Sequence, residues 1–427
     1  MNRLISSLLL ATALTAGAAL AADSDMDALL LADHASAPPA KASDWRVFVE
    51  GAAGRTALRG PGTNSGSILN QRLSIDVQFD KSFAPGWRAV FADRLDINWH
   101  NEPSRQNSVN SFKEGYLSWA AAGDQLFDLG RINARHGVAI GYNPTDYFRT
   151  GASRSIVSAD PSSQKKNRLG SGMLRSQTLW DGGSLTAIYS PKLADQPNRA
   201  SWNPDWGSTN NQHRWLVAVS HQIAEGINPQ WLIYGEEHDA TQLGFNLTKL
   251  LNDSTVSYVE WSGGRTRSLL TRALNEQGIN RPDDSAFRNR VATGLTYTTA
   301  NKMSLTLEYQ YNGAALDKAN WDALGRSSPL GYGLYRGAVH NAGDMPTRQA
   351  WFLFGTWQDA VVNNLDLSAM VRFNVADRSR LSWLEARYHW DQAEVALQWQ
   401  RNSGHATSEF GASPQRRIVQ AVVRYFF

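Results

Sequence analysis

The chain has 427 residues, with 42 Lys+Arg against 39 Asp+Glu and no cysteine. A formal charge of +3 is too small to indicate a polyanion partner, and no nucleic acid is expected. The absent cysteines exclude a disulfide framework and thiolate metal sites. A mean hydropathy of −0.41 is low for a membrane protein, yet it suits a β-barrel, where only alternate strand residues face lipid.

The chain opens Met1-Asn2-Arg3, runs uncharged from Leu4 to Leu20 and reaches Ala19-Leu20-Ala21 before Asp23. A positive start, an apolar middle and a small-x-small ending read as a secretory signal peptide over residues 1–21, cleaved after Ala21. Beyond it no apolar run approaches the length of a spanning helix. Residues 22–44 are acidic, then Ala/Pro-rich around Pro38-Pro39, and read as a periplasmic N-terminal segment. Within it Met26 to Leu31 is either a short helix or part of a disordered tail.

From residue 45 to 427 the chain resolves into strand-length pieces. The second piece, about 71–81, puts Leu73, Ile75, Val77 and Phe79 on one face and Arg72, Ser74, Asp76, Gln78 and Asp80 on the other. A tight turn at Phe83-Ala84-Pro85-Gly86 leads to a third, about 87–99, in which Asp93 alone breaks the apolar face. Further strands are expected at about 110–120 and 125–135, then, after a long segment, at 168–180 and 184–191. Four more fall at about 213–224, 229–236, 240–250 and 254–262, followed by 288–299 and 302–312. Two strands after residue 346, two at about 380–390 and 393–401, and the C-terminal strand complete the set. That last strand carries Val419, Ala421, Val423, Tyr425 and Phe427 on one unbroken face.

The count is about 18, and even, with long gaps alternating with gaps of roughly two to six residues. Tryptophans fall near the strand ends: Trp87, Trp119, Trp180, Trp231, Trp357 and Trp390 on the short-turn side, Trp99, Trp215 and Trp261 on the other. This is the pattern of an all-β transmembrane antiparallel β-barrel with short periplasmic turns, long extracellular loops and aromatic girdles. It predicts a Gram-negative outer membrane, contact with bilayer lipid and lipopolysaccharide, and a C-terminal strand addressed to the barrel-assembly machinery.

A barrel of that size encloses water, so a channel for small-molecule or oligosaccharide solutes is the expected function. The inward faces carry both signs, Arg94, Asp96, Glu114, Glu308 and Arg372 among them, which suits plain wetting and cross-strand pairing or a selectivity field. The segment His136–Arg168 has no strand pattern and is too long for a connector. Its Gly and Asn-Pro residues suit a chain folding back into a lumen as a constriction. Arg131, Arg135, Arg149 and Arg154 are the expected eyelet cations, opposed by Asp96 and Glu114, with Arg94, Arg372 and Glu308 on the same pore wall. This segment and the Arg-rich stretch 265–290 lean the vestibule toward anions, or else meet lipopolysaccharide phosphates.

Leu129-Gly130-Arg131 ending a strand, then His136-Gly137 and Asn143-Pro144-Thr145-Asp146-Tyr147-Phe148, resemble the strand-and-loop pattern of alginate-export-type and related large outer-membrane porins. The resemblance implies a monomeric 18-stranded barrel with a basic lumen that passes an anionic polysaccharide. No cofactor, metal or catalytic residue is expected. Two rival functions remain. One is a barrel hydrolase, for which Glu236-Glu237-His238-Asp239, His221 beside Ser220 and His389 near Glu385 are the only candidates. The other is a scaffold holding a secretion or surface-complex partner through residues 22–44.

Overall fold

The computed structural model describes residues 44–60, 66–99 and 107–427. The expected signal peptide and nearly all of the 22–44 segment lie outside the described residues. Eighteen strands follow in order, beginning with β1 (Trp45–Leu58), β2 (Ser67–Ala84), β3 (Trp87–Trp99), β4 (Ser108–Ala122), β5 (Gln125–Ile132) and β6 (Ser171–Trp180). Next come β7 (Gly183–Ser190), β8 (Arg214–His221), β9 (Gln230–Glu236), β10 (Gln242–Asn252), β11 (Thr255–Thr266) and β12 (Ala286–Thr298). The set closes with β13 (Met303–Asn312), β14 (Gln349–Trp357), β15 (Leu365–Asn374), β16 (Arg380–His389), β17 (Ala393–Ser403) and β18 (Gln415–Phe426). Each strand pairs antiparallel with its sequence neighbours, and β1 pairs with both β2 and β18. Gly51 thus faces Leu73 on one side and Val423 on the other, and the sheet has no free edge. Closure satisfies the backbone by hydrogen bonds within the wall, as strands in hydrocarbon require.

The period-two faces behave as the alternation demands. Leu69, Leu129, Leu174, Leu295, Leu307, Leu397 and Val423 are exposed on the outer surface. Trp87 stacks on Trp119 at 5.7 Å and Trp119 on Phe127 at 5.7 Å, a row of rings at the short-turn end. The β2–β3 register runs unbroken through Asp93, which pairs with Val77 on the outer face. The irregularity is instead on β4, where Glu114 pairs with Ala92 and Phe112 with Asp93, leaving Lys113 extra. Such a bulge re-aims a side chain: Lys113 reaches Asp76 at 2.6 Å, while Asn110 donates to the outward Asp93 at 2.7 Å.

The loops on the other side carry short helices that the alternation rules do not detect. These are α1 (Pro161–Lys166), α2 (Trp206–Thr209), α3 (Leu269–Asn275), α4 (Lys318–Ser327) and α5 (Pro329–Ala342). Helix α5 has a Ser328 cap that accepts from the Gly331 N–H, Pro329 at its first position, and Gly343 at φ 63° closing it. Helices α3, α4 and α5 share a core of Leu269, Ala273, Trp321, Tyr335 and Val339 above the barrel mouth.

Candidate pore and its constriction

The wall from β15 round through β18 and β1 to β4 carries a continuous ladder of inward charges. His389 lies 3.0 Å from Asp366 and 3.4 Å from Glu394. Arg387 bridges Glu385 (2.9 Å) and Glu394 (2.7 Å), and Arg424 bridges Glu394 (3.0 Å) and Glu50 (2.8 Å). Arg94 then meets Glu50 and Asp96, both at 2.9 Å. Arg72 also contacts Glu50. His389 and Arg424 sit between carboxylates on their two neighbouring strands, where opposite charges stabilise a sheet, while Arg387 and Arg94 each also take a carboxylate two residues away on their own strand. The ladder is close to self-neutral, so it braces the wall without imposing a strong field of one sign. His389 is absorbed in it as one rung.

The His136–Arg168 segment folds into the lumen and crosses from β5 to the far wall, where two carboxylates hold its backbone. Glu260 on β11 accepts the N–H groups of Val138 (2.9 Å), Ala139 (3.0 Å) and Thr145 (2.7 Å), and the Thr145 hydroxyl at 2.9 Å. Glu308 on β13 accepts the N–H groups of Ile140 (2.9 Å), Gly141 (3.1 Å) and Tyr142 (2.9 Å), the Tyr258 hydroxyl (2.7 Å) and the Gln310 amide (2.7 Å). Both carboxylates are fully buried. Several N–H dipoles converging on a carboxylate compensate its lost hydration without a cation. Close approach needs small residues: a Cβ on Gly137, at φ +103°, would lie 2.5 Å from the Glu260 oxygens. One on Gly141 would lie 2.6 Å from Phe352.

Apolar contacts fill in around these two posts. Tyr147 and Phe148 pack on Met173, Leu216, Leu232 and Tyr234, inward residues of β6, β8 and β9, with the Tyr147 and Tyr234 rings stacked at 4.3 Å. Ala159 packs on Phe352, Phe354, Met370 and Trp383 of β14, β15 and β16. Arg168 pairs with Asp146 at 2.6 Å and ties the base of the loop to the carbonyl of Ala134. His136 lies half-buried beside it with its Nδ1 enclosed, and desolvation pushes its imidazole down to about 4, so it is neutral at neutral pH.

The expected eyelet residues disperse. Arg131 stands on the outer face of β5, since it pairs with Gly172 while its neighbour Ile132 points inward into the Tyr147 cluster. It is stacked 3.9 Å from the Trp206 ring and lies outside the lumen, because strict alternation from the exposed Leu129 carries it there. Arg149 is paired with Asp344 at 3.0 Å and bonded to the Asn143 carbonyl. Burial alone would raise the Asp344 carboxyl, but Arg149 and Arg290 hold it below its usual value. Arg154 donates to the carbonyls of Asn203 (2.7 Å) and Ala200 (2.5 Å). Asp96 accepts from Ser74 and is occupied by Arg94, and Glu114 accepts the Asn133 N–H at 3.3 Å. Asp96, Arg94 and Glu114 therefore face the lumen but do not oppose Arg131, Arg149 or Arg154. Arg135 is half-buried in the loop, and among the described residues no carboxylate pairs with it.

Among the described residues, Arg372 and Arg290, like the inward Arg214 of β8, have no ion pair. Arg372 on β15 donates to the Gly141 carbonyl at 3.2 Å and covers the Phe352 ring at 5.4 Å. Arg290 on β12 donates to Gln242 at 3.2 Å. Arg372, Tyr142, Gln310, Asp344 and Glu409 line a cavity of about 50 Å³. Burial pushes the Glu409 carboxyl up to about 7, despite the Asn374 amide that donates to it at 2.7 Å.

The 265–290 stretch is less basic in space than in sequence. Arg267 pairs with Asp283, Arg288 with Asp284, and Arg272 on α3 with Asp239 and Glu236. The same Arg272 pairs occupy the Glu236–Asp239 tip, whose His238 projects into solvent at φ +70°.

No protein-family model matches the chain, and no curated protein matches its sequence. Among solved structures it is similar to a BenF-like porin from Pseudomonas fluorescens Pf-5, with TM-score 0.57 and 8% identity over 91% of this chain and 99% of that one. It is similar to OccAB1 of Acinetobacter baumannii (TM-score 0.53, 10% identity, 92% and 98% covered). It also resembles OpdK of Pseudomonas aeruginosa, solved with vanillate (TM-score 0.53, 9% identity, 90% and 98% covered). At such identities the likeness is one of fold: this chain has the closed antiparallel barrel of the outer-membrane porins.

Proposed function

We propose that the protein is an outer-membrane channel through which small solutes diffuse passively, with a preference for anions. The observation that carries this is the closed 18-stranded wall crossed by one loop pinned on Glu260 and Glu308. A wall of this size encloses water, and a loop fastened across it narrows the passage. The anion preference rests on Arg290, Arg372 and Arg135, whose charges no carboxylate pairs with among the described residues, beside a ladder that cancels itself. Residues 1–21 serve as the export signal, and the C-terminal strand is the assembly address. No catalytic role is assigned to any residue.

Small sugars fit the same passage, because the loop surface offers backbone and hydroxyl groups as well as charge. Export of an anionic polysaccharide, as in alginate-export-type porins, is disfavoured by the loop: a polymer would have to thread beside a segment held at both posts. Single-channel recording in planar bilayers under a salt gradient tests the proposal. The expected result is a steady conductance with an anion-directed reversal potential, reduced in Arg372→Gln. Vanillate, the small aromatic carboxylate found with OpdK, is a suitable blocker to titrate. A cation-directed potential, or no current, would refute the proposal.

A further inference from the structure

Six exposed arginines cluster at the long-loop rim over β15 to β18 and β1: Arg55, Arg378, Arg380, Arg401, Arg416 and Arg417. Among the described residues none of them has an ion pair. At the opposite rim several exposed cations are paired, Lys81 with Asp44, Arg88 with Asp80 and Lys302 with Asp359, and the exposed Arg46 and Lys249 that have no ion pair among the described residues stand apart on β1 and β10 rather than in a row. The registers fix which way the strand arginines point. Arg401 continues the outward face of Val395, Leu397 and Trp399, and Arg417 that of Val419, Val423 and Tyr425. Arg401 and Arg417 are direct partners in the β17–β18 ladder. Arg380 is one diagonal step from Arg401, whose own partner is Ser382, and Arg55 one diagonal step from Arg417, whose own partner is Ala57.

Like charges placed directly opposite on a sheet repel, and here the pair is extended on both sides by further arginines rather than relieved. Position adds to the constraint. Arg401 lies two residues beyond Trp399, so the guanidiniums sit just past the apolar band, at the level where lipid headgroups begin. A second copy of this chain brought to this face by symmetry would double the repulsion, so the face does not suit self-association. A doubly charged, three-oxygen phosphate relieves it, since guanidinium forks bind phosphate in a bidentate way.

We infer that the arginine row on β16, β17, β18 and β1 is a lipid-binding site that holds the phosphate groups of lipid A in the outer leaflet. It rests on the outer-membrane reading and is independent of what the lumen conducts. Purified full-length barrel in detergent, titrated with bis-phosphorylated lipid A and read by native mass spectrometry, tests it. Wild type is expected to retain lipid A, and Arg401→Gln/Arg417→Gln to bind it at least tenfold more weakly, while Lys302→Gln binds as wild type. Equal binding by the double variant would overturn the inference, as would equal binding of lipid A stripped of its phosphates or of phosphatidylglycerol. Should the Gln pair fail to fold, judged by heat-modifiable gel migration, Arg401→Lys/Arg417→Lys serves instead. It keeps the charge without the fork and is expected to bind more weakly than wild type, whereas unchanged binding would remove the bidentate site. Conductance separates the two readings: a barrel that holds lipid A but passes no current removes the channel alone, and a conducting barrel that ignores lipid A removes the site alone.

Discussion

Truncating Glu308 to alanine isolates what the lumenal posts do. The carboxylate accepts three N–H groups of the crossing loop, from Ile140, Gly141 and Tyr142, and two wall donors, from Tyr258 and Gln310. Hydrogen bonds to a charged partner contribute about 1.5–3 kcal/mol each, and a buried donor left unmade costs a similar amount. Water entering the vacated space recovers part of this. A net loss of about 3 kcal/mol from the docked loop is therefore expected, roughly a hundredfold shift between docked and undocked states at about 1.4 kcal/mol per tenfold. Because the three loop donors are consecutive, the segment should release as a unit, widening the passage. Single-channel recordings should show a larger and noisier conductance for Glu308→Ala, with Glu308→Gln, which keeps one acceptor oxygen, falling between it and wild type. Trypsin should cut faster at Arg149, Lys165 and Lys166. Wild-type conductance together with wild-type trypsin resistance would show that the loop is held by its apolar contacts and that the carboxylate posts are incidental.

The other predictions bear on the same wall and loop. Gly137→Ala adds a methyl against the Glu260 oxygens at a φ that L-residues avoid, so it should raise conductance as Glu260→Ala does; an unchanged channel would contradict the close approach. Arg94→Gln leaves Glu50 and Asp96 short of their buried partner, which should lower stability by about 3–5 kcal/mol, read as earlier loss of heat-modifiable migration, with little change in ion selectivity. Glu409 is neutral below pH of about 7 and charged above it, so anion preference should fall as pH rises from 5.5 to 8.5, and the trend should vanish in Glu409→Gln. The linkage sign agrees: with the folded value above the ordinary 4.5, the outer loop is favoured most at low pH and loses stability as pH rises toward 7.

Much of the architecture was legible along the chain. The period-two alternation is a local property of residues two apart, so it gave strand positions, outward faces, loop sidedness and an even count without knowledge of partners. Strand β3 begins and ends at the expected Trp87 and Trp99. The inward charges were legible as a mixed set, and neighbouring-strand pairing makes a ladder of them. The outer helices were missed because their cues, Ser328-Pro329 and Gly343 for α5, are capping signals inside a stretch read as Gly/Tyr/Pro-rich loop.

The pore's interior was decided elsewhere. One trace of it was present in the sequence: Trp215 to Val219, Trp231 to Tyr234 and Trp351 to Phe354 are apolar on both faces, which marks walls covered from within. Which segment covers them, and by which atoms, depends on contacts such as Val138 to Glu260 and Ile140 to Glu308, 122 and 168 residues apart. A side chain's face follows from its own strand, so Arg131 was fixed outward by its neighbours. The use of two carboxylates in place of arginines to hold the loop exists only once barrel closure brings β5, β11 and β13 around one lumen.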